Sequence, residues 1–207
     1  MKANNLYFDI NFIKTLFPTE KIEIKKGETL FTEEQNNDFV YFIQEGKLKV
    51  TQKENVIGYT RANEFIGITS CLCEGDYFYF TSYACENSTL LKIDKLAFKQ
   101  ALSDNPDFGK VMIEILCRRI KITDNKTKIF TSNSTQDRII NELINNSIFE
   151  TEATNPLLSI DELSELTGVS NVKVLTVLKD LSSKNVIRIK EEKISILELE
   201  KLKDLVN

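Results

Sequence analysis

The chain has 207 residues, 42% hydrophobic and 28% charged, which is room for two modest domains of ordinary globular composition. Its formal charge of −4 supplies no global basic field, so any contact with nucleic acid requires a local basic surface. Histidine is absent, which excludes Ser–His and Cys–His nucleophile pairs and histidine-ligated zinc or haem.

Residues 9–17, "DINFIKTLF", carry apolar side chains at helical spacing behind an aspartate able to cap, and predict a short helix. From Lys21 to Asp94 the pattern changes to short β-rich runs: "KIEI", "ETLF", "DFVYFIQ", "KLKVTQK", "NVIGYT", "YFYFTSYACE" and "STLLKI". The turns between them are "KKGE", "EQNND", "QEGK" and "CEGD", and so many closely spaced strands predict a barrel, roll or sandwich. Asp94 can cap a helix through "KLAFKQALS", and Pro106 suits the first turn of the next one, running to Phe130. That second helix carries apolar residues around more than one face, consistent with a dimerisation helix or with one long core helix. "TSNSTQ", 131–136, is expected as a hinge, followed by a helix on "DRIINELI" and a loop through Pro156.

The segment 159–181 has the layout of a helix, a glycine turn and a second helix. Ser159 and Glu162 fit a capping box, Gly168 sits at the turn, and Ser170 is placed to cap the second helix. Val174, Val177, Leu178 and Leu181 mark its buried face. The exposed face is then Asn171, Val172, Lys173, Leu175, Thr176, Lys179 and Asp180. "NVIRIKEEKISIL" reads as two strands around a charged turn, a wing, and "LELEKLKDL" as a closing amphipathic helix.

Taken in order, "KKGETLF", "VYFIQEGKLKV", "FIG", "LLKIDKLAFKQAL", "NPDFGKVMIEILCRRI", "LSIDELSELTGVS" and "KISILELEKLKDL" resemble the catabolite-activator and fumarate–nitrate-regulator (Crp/Fnr) family of bacterial transcription factors over nearly the whole chain. The resemblance implies an α+β fold. Residues 1–105 would form a cyclic-nucleotide-binding-like β-roll sensor, 106–131 a dimerisation helix and 135–207 a winged helix-turn-helix. It further implies a homodimer on double-stranded DNA, at a pseudo-palindrome with half-sites about one turn apart. RNA polymerase is a candidate partner.

Departures from the family's pattern fall at both sites. Its reading helix begins with arginine and glutamate, with another arginine four residues on; here Asn171, Val172 and Thr176 stand there. Asn171 suits an adenine edge, Val172 and Leu175 thymine methyls, and Lys173, Lys179 and Lys184 phosphates, with Ser170 at the start of the helix. An A·T-leaning site is expected. In the sensor, Gly67 is kept, but Ile68 replaces the glutamate that meets a ribose, and Phe78 and Tyr79 replace the arginine–serine pair that holds the cyclic phosphate. On the long helix Thr123 matches a threonine that meets the base, and Asp124 replaces a serine. Cyclic AMP is therefore a poor effector. Phe65, Phe78, Tyr79, Phe80 and Tyr83 either bind an apolar or aromatic small molecule, of unknown identity, or fill the cavity.

Cys71 and Cys73, spaced C-x-C, are candidates for redox sensing or for binding a thiol ligand, or are small core hydrophobes. No cofactor or metal is predicted, since the iron–sulfur branch clusters cysteines near the N-terminus and the haem branch needs histidine. Four cysteines are too sparse for a disulfide framework, and neither a signal segment nor a membrane span is visible, so a cytoplasmic location is expected. No nucleophile–base pair or phosphate-cradling glycine loop suggests an enzyme. The alternative function is a ligand-binding or interaction module of the same fold that has lost sequence-specific DNA binding.

Overall fold

The computed structural model describes residues 8–73, 75–130, 134–147, 158–190 and 193–206, and divides into two compact units, residues 1–114 and 115–207. The loop expected through Pro156 and the wing turn at Glu191 and Glu192 lie outside the described residues.

In the first unit the expected N-terminal helix is α1 (Ile10–Leu16), capped by Asp9, whose carboxylate accepts from the Asn11 amide at 2.6 Å. The strands are β1 (Glu20–Ile24), β2 (Thr29–Phe31), β3 (Phe39–Glu45), β4 (Lys47–Gln52), β5 (Asn55–Arg61), β6 (Phe65–Ile66), β7 (Thr81–Ala84) and β8 (Ser88–Asp94). They form two antiparallel sheets, ordered β1-β8-β3-β6 and β2-β7-β4-β5. Alternation along β3 decides where the core lies. Tyr41 and Ile43 join Phe31, Leu48, Val50, Ile66, Phe78, Ala84 and Leu90 in one buried cluster drawn from both sheets. Val40 and Phe42 point the other way, and both faces of this strand are buried. Phe42 pairs with Phe65 in register, and the two rings meet edge to face at 5.0 Å.

That outer face is covered by helices. Asp94 caps α3 (Lys95–Asp104), accepting from the Leu96 and Ala97 amides, and α4 (Pro106–Phe130) follows. Phe65, Phe98 and Phe108 pack edge to face on one another, with Phe8 and Phe17 of the N-terminal segment against Phe108. Such pairs add roughly 0.5–1.5 kcal/mol each beyond their buried area.

Two short elements were not expected, β6 and the five-residue helix α2 (Ile68–Leu72). A third expectation is corrected: of the strand predicted over "YFYFTSYACE", only Thr81–Ala84 joins a ladder. The backbone at 77–79 is satisfied elsewhere. The Tyr77 carbonyl accepts from the Asn37 amide, the Phe78 amide donates to the Gln35 carbonyl, and the Tyr79 amide donates to the Ser70 hydroxyl.

The long helix has the bounds its sequence predicts, 25 residues or about 38 Å. Phe108 and Met112 are buried on one side, whereas Ile113 and Ile120 are 63% and 61% exposed on another, with Cys117 also exposed.

The second unit continues with α5 (Thr135–Ser147), α6 (Ile160–Thr167), α7 (Asn171–Ser183), the antiparallel pair β9 (Ile187–Lys190) and β10 (Lys193–Ile196), and α8 (Leu199–Asp204). The expected hinge is shorter than predicted: Thr135 and Gln136 are helical, because the Ser134 hydroxyl accepts from the Asp137 amide at 3.2 Å and caps the helix there. Residues 131–133 lie outside the described residues. Ile139, Ile140, Leu143, Leu163, Val174, Leu178, Leu181, Ile187, Ile194 and Leu202 are buried, so each of α5, α6, α7, β9, β10 and α8 lends a side chain to the core.

Candidate nucleic-acid interface and effector site

The turn between α6 and α7 is built as its residue types dictate. Both bonds of the capping box are present: the Glu162 amide donates to the Ser159 hydroxyl at 3.2 Å and the Ser159 amide to the Glu162 carboxylate at 2.9 Å. Gly168 takes the left-handed conformation, φ 64° and ψ 26°, where a side chain would be strained. Arg138 of α5 donates to the Thr167 carbonyl at 3.4 Å, placing positive charge at the C-terminal end of α6, where the helix dipole favours it.

Ser170 occupies the cap position of α7, but its hydroxyl makes no capping bond; only its carbonyl is engaged, by the Val174 amide at 3.0 Å. Val174, Leu178 and Leu181 are buried and Val177 half-buried. Asn171, Val172, Lys173, Thr176 and Lys179 are exposed, Val172 by 75%. Leu175, expected on the open face, is half-buried, since it lies about 100° round the helix from Val174 and so at the edge of the packed face.

Two of the candidate contacts already have carboxylate partners. The Asn171 amide nitrogen donates to Asp161 of α6 at 2.6 Å, and Lys184 pairs with Asp180 at 2.7 Å. The Thr176 hydroxyl donates to the Val172 carbonyl at 2.9 Å. The wing strand β9 adds two exposed cations that the sequence reading did not assign, Arg188 and Lys190. Their signal was alternation: "IRIK" sends isoleucines inward and cations outward.

In the roll, Gly67 precedes α2 with φ 91°. A β-carbon there would sit 3.2 Å from the Phe78 ring and 3.3 Å from the Phe39 carbonyl, so glycine lets Phe78 close against the strand end. Ile68 is fully buried, and Phe78, 3% exposed, stacks on Phe31 with centroids 3.7 Å apart and 11° between planes. Phe80 tilts against Phe31 at 5.5 Å, whereas Tyr79 is 44% exposed. Phe65 is not part of this group: the alternation of β6 turns Ile66 into the roll and Phe65 out to the helices. Thr123 and Asp124 are exposed in the second unit, Thr123 donating to the Arg119 carbonyl at 3.0 Å.

Sequence reasoning missed the residue that organises this segment. Asn37, 1% exposed, lies in "EQNND" and looks like turn punctuation. Its amide nitrogen instead donates to the carbonyls of Ser70, Gly75 and Tyr77, and its carbonyl accepts from the Lys95 ammonium. The buried polar side chains described in this unit are Asn37, Thr51, Thr60, Ser70, Ser82 and Ser88, none of them a cation. The Ser82 hydroxyl, on β7 opposite Phe31, has no hydrogen-bond partner.

Cys71 and Cys73 stand in different environments. Cys71 is buried with its sulfur 3.9 Å from the Lys95 carbonyl, and burial pushes its thiol above the ordinary value against the opposing pull of Lys99 and Lys95. Cys73, at the end of α2, is exposed.

Comparison with known proteins supplies an independent line. Residues 21–105 match the cyclic nucleotide-binding domain family. The chain is 23% identical to a CRP-like cAMP-activated global transcriptional regulator of Mycobacterium tuberculosis, covering 88% of this chain and 86% of that protein. It is 25% identical to a global nitrogen regulator of Nostoc sp., covering 87% and 86%. Its fold superposes on FixK2 from Bradyrhizobium japonicum with a TM-score of 0.73 at 11% identity, over 92% of this chain and 98% of that one. Among the described residues no helix is long and apolar enough to cross a membrane.

Proposed function

We propose that this chain, a transcription regulator of the Crp/Fnr family carrying a cyclic nucleotide-binding-type domain, works as a homodimer on pseudo-palindromic duplex DNA and does not respond to cyclic AMP. The observation that carries the reading is the α6–Gly168–α7 hairpin, with Asn171, Val172, Lys173, Thr176 and Lys179 exposed on α7 beside a two-stranded wing. An exposed helix face of this width at a sharp turn has the shape that enters a major groove.

Support for the dimer comes from α4. Ile113, Leu116, Ile120 and Thr123 alternate by three and four residues, which are a and d positions of a heptad. Isoleucine at a with leucine at d favours a two-stranded parallel pair. In that arrangement Arg119, at g, faces Asp124 of the partner subunit, at e of the next heptad. Asp124 then serves the pairing of the rods rather than a ligand.

Against cyclic AMP stands the chemistry of the roll. A buried phosphate lacking a cation or a full set of donors leaves several kcal/mol of desolvation unrecovered. The buried polar groups described there are neutral, and Phe78 lies flat on Phe31.

Selection of bound DNA from a random pool tests the function, run with and without cell extract. A recovered inverted repeat with half-sites about one turn apart is the expected result. The second reading is a module without sequence preference. It predicts only salt-dependent background binding.

A further inference from the structure

We infer that Asp161 is a specificity-determining residue: its carboxylate fixes the amide of Asn171 in one orientation and thereby makes α7 a reader of adenine. The inference rests on the DNA-reading function proposed above. Asp161 lies in the first turn of α6, outside the face of α7 from which a reader of this type is assigned its contacts.

The chemistry follows from counting donors. An asparagine end group has one acceptor oxygen and a nitrogen with two hydrogens, and rotation by a half-turn exchanges their places. Adenine presents an acceptor, N7, beside a donor, the N6 amine, so it accepts only one order of amide groups in a given approach. In this structure the Asn171 nitrogen donates to Asp161 at 2.6 Å. The flipped amide would set its oxygen against the carboxylate, acceptor to acceptor, and is therefore disfavoured. One hydrogen of the nitrogen is consumed, leaving one N–H for N7 and the oxygen for the N6 amine. Guanine, which offers two acceptors at the same place, meets one donor and one repelling oxygen.

Both side chains are exposed and ten residues apart across the turn that Gly168 makes possible, so the fold, rather than local sequence, brings them together. The first turn of α6 also carries Glu162, but that carboxylate is occupied by the Ser159 amide, which leaves Asp161 as the residue aimed across the turn.

The test is random-pool selection on the full chain with wild type, Asp161→Ala, Asp161→Asn and Asn171→Ala. In wild type one base pair in each half-site is expected to recur as A·T. Asp161→Ala should cut the preference for adenine there by about three- to tenfold, a part of the discrimination a whole bidentate contact provides. Asp161→Asn presents an amide that can turn either its oxygen or its nitrogen to Asn171, so it no longer fixes the orientation and should lower the preference about as much as Asp161→Ala does. Asn171→Ala should abolish preference at the same base pair, and the double alanine variant should be no worse. A wild-type motif whose adenine position survives Asp161→Ala unchanged overturns this inference alone. Preference kept in full in Asp161→Asn also overturns it, since an amide able to turn either end to Asn171 imposes no orientation on it. A wild-type pool with no recurring motif overturns the DNA-reading function and this inference with it.

Discussion

Replacing Ile113 and Ile120 by alanine removes the exposed apolar seam of α4 without adding charge or lowering helix propensity, because alanine is the strongest helix former. Each substitution deletes three carbons, about 2.4 kcal/mol if the side chain passes fully from water to a buried site. With 63% and 61% of the two side chains still facing solvent, about 1.5 kcal/mol per side chain remains to be gained on pairing. A symmetric dimer counts both positions twice, which sets a ceiling of about 6 kcal/mol, or roughly ten-thousandfold in dissociation constant. Sedimentation equilibrium over a dilution series should therefore show the double variant weaker by between about a hundredfold and about ten-thousandfold. Circular dichroism checks that the helix persists. Register is tested in the same assay by reversing charge: Arg119→Asp should weaken pairing, and adding Asp124→Arg should recover it. A double alanine variant that remains as dimeric as wild type, with its helix intact, refutes the seam.

Three further outcomes follow from the described geometry. Five exposed cations per chain flank the proposed contact, Lys173, Lys179, Lys184, Arg188 and Lys190, so a dimer using all of them should give a log–log salt slope of about −9. If Lys184 stays with Asp180 the slope is about −7, and a slope near zero in equilibrium titrations rejects phosphate contact altogether. Phe78→Ala should lower unfolding free energy by about 3–5 kcal/mol, measured by urea titration, because it empties the ring stacked on Phe31; a cost below 1 kcal/mol would mean the ring does not plug the roll. Cys71 should react slowly with maleimide while Cys73 and Cys117 react fast, and its raised pKa has a sign. Above the unfolded thiol value of about 9 the unfolded chain releases its proton first, so stability falls as pH rises toward the folded value, and Cys71→Ala should remove that part of the dependence.

How much of this was visible in the sequence depended on whether local chemistry or distant partners settled each segment. Pro106 marked the start of α4 and the apolar spread its extent to about Phe130, and the Ser159–Glu162 box with Gly168 marked the hairpin, because each is a local stereochemical requirement. β6 and α2, two and five residues long, are shorter than the windows over which periodicity can be counted. Residues 77–79 have strand composition, yet their backbone bonds go to Asn37, Gln35, Ser70 and Gln52, partners 9 to 43 residues away in sequence. Asn37 itself is indistinguishable from a turn residue until its surroundings are folded. Asp161 drew no assignment from the sequence, because its bond to Asn171 crosses a turn whose angle no periodicity encodes. Phe65 was assigned to the wrong side because a two-residue strand gives no alternation to count.

An acidic chain that reads DNA divides its binding energy differently from a basic one. Phosphate contacts raise affinity for every sequence alike, so they strengthen the competing genomic sites as much as the target. With a net charge of −4 and the cations proposed to meet DNA limited to α7 and the wing, this protein gains less from non-specific DNA than a basic domain of equal size. If α7 meets DNA as proposed, Asp161 pushes in the same direction, since an exposed carboxylate beside that helix penalises every phosphate it approaches. The quantity that matters for finding a promoter is the ratio of specific to non-specific binding, and that ratio can be large with few direct base contacts if the background is held low. Without arginine at positions 171 and 176, the proposed reader lacks the bidentate guanine contact yet need not lack specificity. On the proposed reading, discrimination rests on the oriented amide of Asn171 and on the apolar surfaces of Val172 and Leu175, which would distinguish thymine by its methyl group.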